Sequence, residues 1–243
     1  MIPRTKASYR LADLLRAVLV EDRSERLRNS LRYELATLLG RPSILLTASG
    51  RGALYIVLRC LSQRRVLIPA YTCKAVVEAA FLAEKEVVFG ELEPDGFNMS
   101  VDAVKTMLNA DTILLATHQF GIPCNITAMV HHAREAGAFV LEDVAASLGS
   151  RVDGRLTGTL GDAAFFSFDS TKLVNVPLKG GALCVKDQAL FDRCVAFRKE
   201  NTFEMPFKRK IGYLFLGLAL LALENPLLYR WFHNAKFRWR GRY

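Results

Sequence analysis

The sequence predicts a three-layer α/β protein, in which helices cover both faces of a mainly parallel sheet of about seven strands. Three observations carry this expectation. Seven short apolar runs recur along the chain, helix-like stretches separate most of them, and the runs show little in/out alternation. Strands buried on both faces read in that way.

Taken in order, residues 8–39 place Leu11, Leu14, Leu15, Val18, Leu27, Leu31 and Leu35 at helical spacing, and Gly40 with Pro42 ends the pattern. The strand candidates follow as "SILLT" (43–47), "RVLIPA" (65–70), "EVVFG" (86–90), "TILLAT" (112–117), "AFVLEDV" (138–144), "AAFFSF" (163–168) and "GALCV" (181–185). Helix-like stretches fall at 51–62, 73–84, 100–109, 125–136 and 187–200. Residues 145–162 are too rich in glycine and polar residues for a simple crossover helix. The expected division is a helical segment at 1–42, a ligand-binding α/β domain at 43–204, and a basic, apolar segment at 205–243.

Composition narrows the function classes. With 51% hydrophobic and 23% charged residues, the chain reads as globular. Five cysteines without a CxxC pair fit reduced thiols in a cytoplasmic protein, not a disulfide framework or a metal site. The net charge of +9 belongs to the tail, where residues 205–243 hold eight Lys/Arg against Glu224 alone. A nucleic-acid groove on the body is therefore not expected. The apolar run "IGYLFLGLALLAL" (211–223) has 13 residues, short of the roughly 20 that a membrane span needs. It reads as a core helix or an interfacial segment, and with its basic neighbours it leaves open peripheral contact with a membrane.

Ligands of open parallel sheets gather beyond the carboxyl ends of the strands. Four polar stretches stand there: "ASGRG" (48–52), "AYTC" (70–73), "EDVAAS" (142–147) and "SFDSTK" (167–172). The first is either an ordinary turn with Ser49 as helix cap or a phosphate cradle at a helix N-terminus. In the third, Asp143 either caps the loop, pairs with an arginine, or holds a protonated ring nitrogen. His118 occupies another strand end, either as a hydrogen-bonded structural residue or as a catalytic one, whereas His131 and His132 read as solvated helix positions. Lys172 is either an exposed amine or one held for Schiff-base chemistry. Ser167 lies five residues before it, and Gly180-Gly181 lets the chain approach a ligand closely. An acid for a ring nitrogen, a turn for a phosphate and a lysine for an aldehyde are together what pyridoxal 5'-phosphate requires.

The stretches "SGRGALYIVLRCL", "VLIPAYTCKAVVEAA", "FNMSVDAVKTML", "ATHQFGIPCNI", "FVLEDVAASLGSRVDGRLTGTLGDAAFFSFDSTK" and "KGGALCV" resemble, in this order, the DegT/DnrJ/StrS-type sugar aminotransferases. These are pyridoxal-phosphate enzymes of fold type I, the aspartate-aminotransferase-like class, and the similarity covers about 43–200. The resemblance implies transfer of an amino group from an amino-acid donor to a keto sugar attached to a nucleotide, in a homodimer. It implies that Lys172 carries the Schiff base and shuttles the proton, that Asp143 meets the pyridine nitrogen, and that Ser167 holds the phosphate with backbone amides of Gly50 and Arg51.

This chain departs from the family pattern at several positions. Arg51 stands where threonine is usual, and Cys73 where an aromatic residue stacks on the ring, which leaves Tyr71 to supply that contact. Ala146 replaces a glutamine that donates to the cofactor's phenolic oxygen, and Pro177, Leu178 and Lys179 replace a Gly-Glu pair. Relatives continue into a smaller C-terminal domain, which has no counterpart in 205–243. These departures leave a second reading open, a catalytically degenerate relative that keeps the fold as a binding or regulatory module.

Overall fold

A computed structural model of the chain describes residues 9–19, 24–176, 179–202, 206–231 and 234. The helical pattern of 8–39 resolves into two helices, α1 (Leu11–Leu19) and α2 (Ser24–Leu39), with 20–23 outside the described residues. Gly40 closes α2 at a φ of +62°, a left-handed value that suits a residue without a Cβ.

Every apolar run forms a strand of one sheet. These are β1 (Ile44–Thr47), β2 (Arg65–Pro69), β3 (Glu86–Gly90), β4 (Thr112–Thr117), β5 (Phe139–Asp143), β8 (Ala163–Ser167) and β9 (Gly181–Val185). Their order is β1-β9-β8-β5-β4-β2-β3. Only β9 runs against its neighbours, so the sheet is mainly parallel as expected. Residues 145–162 contain a small hairpin of β6 (Arg151–Val152) and β7 (Arg155–Leu156). Asp153 and Gly154 both have positive φ in its two-residue turn, and that dipeptide was a readable hairpin signal.

The helices between strands are α3 (Gly50–Cys60), α4 (Lys74–Leu82), α5 (Val101–Met107), α6 (Ile126–Ala136) and α7 (Gln188–Asn201). One face of the sheet packs Leu45, Ile68, Leu115, Leu141 and Phe165 against α3, α4 and α7. The other sets Leu67, Leu114 and Val140 against α5 and α6, and Ile44 and Phe166 against Leu35 and Leu39 of α2. Successive strand residues alternate between these faces. Leu141 and Asp143 therefore share the α3 side, and Val140 and Glu142 the α6 side.

The apolar run at 211–223 forms most of α8 (Phe207–Ala222) and its C-cap Leu223, and α8 packs against α1. It is not a core helix. Tyr213, Phe215 and Leu216 face outward, and none of its residues joins the buried clusters of the sheet. The sheet's two faces are already covered by α2 to α7, so α8 has no core position to fill. No helix among the described residues is long and apolar enough to cross a membrane.

Candidate active site

A cavity of about 310 Å³ opens at the carboxyl ends of β1, β2, β4, β5 and β8. Ser49, Gly50, Arg51, Cys73, Asp143, Ser167 and Lys172 all line it, although 123 positions separate the first from the last. Tyr71 does not line it. Its ring, half exposed, packs with Phe97 and Phe120 in a separate aromatic cluster, so the contact expected of it with a ligand ring is not prepared here.

The floor of the cavity is built by close approach of backbone segments. Ser49 caps α3, its hydroxyl accepting from the Gly52 N–H at 3.0 Å. A Cβ on Gly50 would lie 2.8 Å from the Ser167 Cβ, and one on Gly181 would lie 2.4 Å from the Ser49 carbonyl carbon. Only glycine allows the end of β8 and the start of β9 to meet the first turn of α3 this closely. The result sets the Ser167 hydroxyl beside a helix N-terminus, where free N–H groups and the helix dipole favour an anion. The Arg51 guanidinium points elsewhere, pairing at 2.9 Å with Glu78 of α4, which Lys74 also approaches. Cys73, at the N-cap of α4, is exposed and makes no capping hydrogen bond.

Asp143 is 7% exposed and stands at the wall. One carboxylate oxygen accepts from the Ala145 N–H at 2.9 Å. Burial pushes its carboxyl above the usual range, against the opposing pull of that N–H and of the Lys172 charge. Lys172 lies in the turn after β8, half-buried. Its own N–H donates to the Asp169 carbonyl, and its carbonyl accepts from Asn175.

His118 is buried and lines the cavity. Its Nδ1 accepts from the Cys124 N–H at 3.2 Å, which leaves Nε2 to donate to Glu142 at 3.2 Å. The structural reading of His118 is the one its hydrogen bonds support. Glu142 also accepts from the N–H groups of Gly158, Leu160 and Gly161. Burial would raise its pKa, but the His118 and backbone hydrogen bonds outweigh this and hold it below the usual range.

Two residues escaped notice in the sequence. The hydroxyls of Thr72 and Thr117 line the cavity and have no hydrogen-bond partner among the described residues, although both atoms are buried. Thr117 pairs in register with Asp143 on the neighbouring parallel strand and so shares its face. The readable signal was a threonine closing a fully buried strand, where an apolar residue would avoid the cost of a lone hydroxyl. Elsewhere, His131 and His132 lie on α6 against Glu135, at ordinary helical spacing.

The fold is the fold type I architecture shared with solved sugar aminotransferases. CalS13 from Micromonospora echinospora matches 98% of this chain and 72% of its own with a TM-score of 0.75 at 20% identity. DesI, solved in the presence of its TDP-sugar product, matches with a TM-score of 0.72 at 28% identity, over 81% of this chain and 52% of its own. Residues 14–217 match the DegT/DnrJ/EryC1/StrS aminotransferase family, and the chain belongs to it. Among curated relatives, GDP-perosamine synthase of Escherichia coli O157:H7 is 30% identical over 158 residues, 63% of this chain. The chain spans 43% of that relative's length.

Proposed function

We propose that the chain binds pyridoxal 5'-phosphate in this cavity and moves an amino group from an amino-acid donor to a nucleotide-linked keto sugar. The observation that carries the reading is the convergence of Lys172, Asp143, Ser167 and the α3 N-terminus on one cavity. The cavity's own features fit the cofactor. Asp143 is a buried carboxyl with a single backbone donor, short of the cation that would repay its burial. Two threonine hydroxyls in the same space have no partner among the described residues.

When bound, the cofactor supplies an electron sink for the carbon that loses a proton. Asp143 would hold the ring nitrogen, and the Ser167 hydroxyl with the first N–H groups of α3 would hold the phosphate. Lys172 Nζ would be the covalent anchor and the base that moves the proton. Thr72 and Thr117 would supply the donor to the phenolic oxygen that Ala146 cannot. Arg51, tied to Glu78, contributes its backbone amide, not its charge. The family resemblance adds a homodimer to this reading, which equilibrium sedimentation would test.

The direct test is a half-reaction. Loaded with pyridoxal phosphate and mixed with L-glutamate, the chain is expected to release 2-oxoglutarate up to one equivalent, and Lys172→Ala to release none. A chain that takes up no cofactor contradicts the proposal. Uptake without release assigns the chain to the binding role instead.

A further inference from the structure

We propose that α8, α1 and residues 226–231 form a docking surface for anionic lipid, independent of the cavity. The argument begins with α8, which is apolar around its whole circumference. From Ile211 to Leu223 it holds no charged side chain. Ile211, Leu214, Gly217, Leu218 and Leu221 form its sheltered face, turned to α1, where Leu14 is buried. The opposite face carries Tyr213, Phe215 and Leu216, with Phe215 66% exposed. A helix hydrophobic on all sides belongs in an apolar medium, and among the described residues nothing covers this face.

The apolar surface continues beyond α8. In the helical residues after it, Leu227 and Leu228 are exposed and Trp231 is 72% exposed, and α1 adds Leu11 and Leu15. Scattered exposed apolar residues are normal on a soluble protein. A group of eight, three of them aromatic and all on one pair of packed helices and the turn of helix that follows, marks a contact surface.

Charge identifies the occupant. Lys208 and Arg209 are exposed in the first turn of α8, and Arg230 is exposed beyond its far end. Arg10, just before α1, and Arg16 on it are exposed, with Asp13 the one acid between them. The first turn of a helix is where its dipole disfavours cations, and α8 has no acid there. Those two cations therefore weaken the isolated helix and make sense against an external anion. Basic residues bordering an apolar strip with tyrosine and tryptophan suit the headgroup boundary, where long side chains reach phosphate and rings sit at the interface. Sixteen residues of helix extend about 24 Å. The surface would lie along the membrane plane and not cross it.

The test uses the full chain and vesicle sedimentation. Phosphatidylglycerol/phosphatidylcholine vesicles are expected to pellet it, and phosphatidylcholine alone to pellet at least tenfold less. Raising salt to about 0.5 M is expected to cut the anionic binding severalfold. Phe215→Asp with Leu216→Asp changes only outward-facing positions and leaves all basic residues in place. This variant is expected to lose binding at least tenfold while keeping its circular dichroism. Retained binding by the variant overturns the proposal, since the cations alone would then account for it. Absence of pelleting also overturns it, and a concentration-dependent dimer that the double variant dissociates would assign the face to a second copy.

Discussion

Glu142 and Asp143 are neighbours on β5, both buried, yet their carboxyls are driven in opposite directions. Glu142 faces the α6 side, where His118 and the N–H groups of Gly158, Leu160 and Gly161 saturate it. Asp143 faces the cavity with one backbone donor and a raised pKa. The saturated acid anchors the loop at 158–161, and the unsaturated one lines the cavity. Two adjacent residues of the same charge thus divide into a structural carboxylate and the one the proposed function uses, according to how many donors reach each.

The largest expected effect breaks the structural half. Glu142→Ala strands three buried N–H groups and an imidazole, and each lost acceptor costs roughly 1–3 kcal/mol. The urea midpoint should fall by an amount equal to about 4 kcal/mol or more, or the chain should become insoluble. An unchanged midpoint would show that the loop is held by something else.

Asp143→Asn sharpens the contrast, because it should stabilise the cofactor-free chain by roughly 1 kcal/mol at neutral pH while weakening cofactor binding at least tenfold. The sign follows from linkage. A raised folded-state pKa means that the buried charge destabilises the fold above that pKa, and that acidification relieves it. The stability difference between wild type and Asp143→Asn should therefore vanish as pH falls below the ordinary aspartate range. Glu142 behaves oppositely, its contribution being full above the ordinary glutamate range and lost as pH drops through its lowered pKa. Thermal unfolding across pH would separate the two.

Gly50→Ala places a methyl against Ser167 and should cost about 1–3 kcal/mol, with weaker cofactor binding followed by fluorescence titration. The smallest effect belongs to Thr117→Val, which removes a lone buried hydroxyl. It should leave the cofactor-free chain as stable or up to about 1 kcal/mol more so, and lower cofactor affinity by roughly threefold to tenfold. Equal affinity for the two proteins would remove Thr117 from the site.

The fold was readable because seven apolar runs and their intervening helices are local signals, and the structure places every one as expected. Strand order was not readable, since it depends on which edges meet in space, and β9 turns against the sheet. The members of the cavity could be anticipated at Ser49, Gly50, Asp143, Ser167 and Lys172, where strand ends meet characteristic residue types. Tyr71 misled because an aromatic beside a motif can pack with Phe97 and Phe120 as readily as with a ligand. The side-chain pairing of Arg51 with Glu78 crosses from α3 to α4 and left no trace in spacing. Thr117 left a faint signal as a threonine closing a fully buried strand, whereas Thr72 left none, as an unpartnered hydroxyl in a loop is visible only once its neighbours are placed.

The proposed cavity is tested most directly by chemical trapping. The full chain would be incubated with pyridoxal phosphate, reduced with borohydride, digested and mapped by mass spectrometry. A single reduced adduct on the peptide carrying Lys172, sharply diminished in Asp143→Asn, is the predicted result. Labelling spread over surface lysines, or an adduct whose yield ignores Asp143, would contradict it.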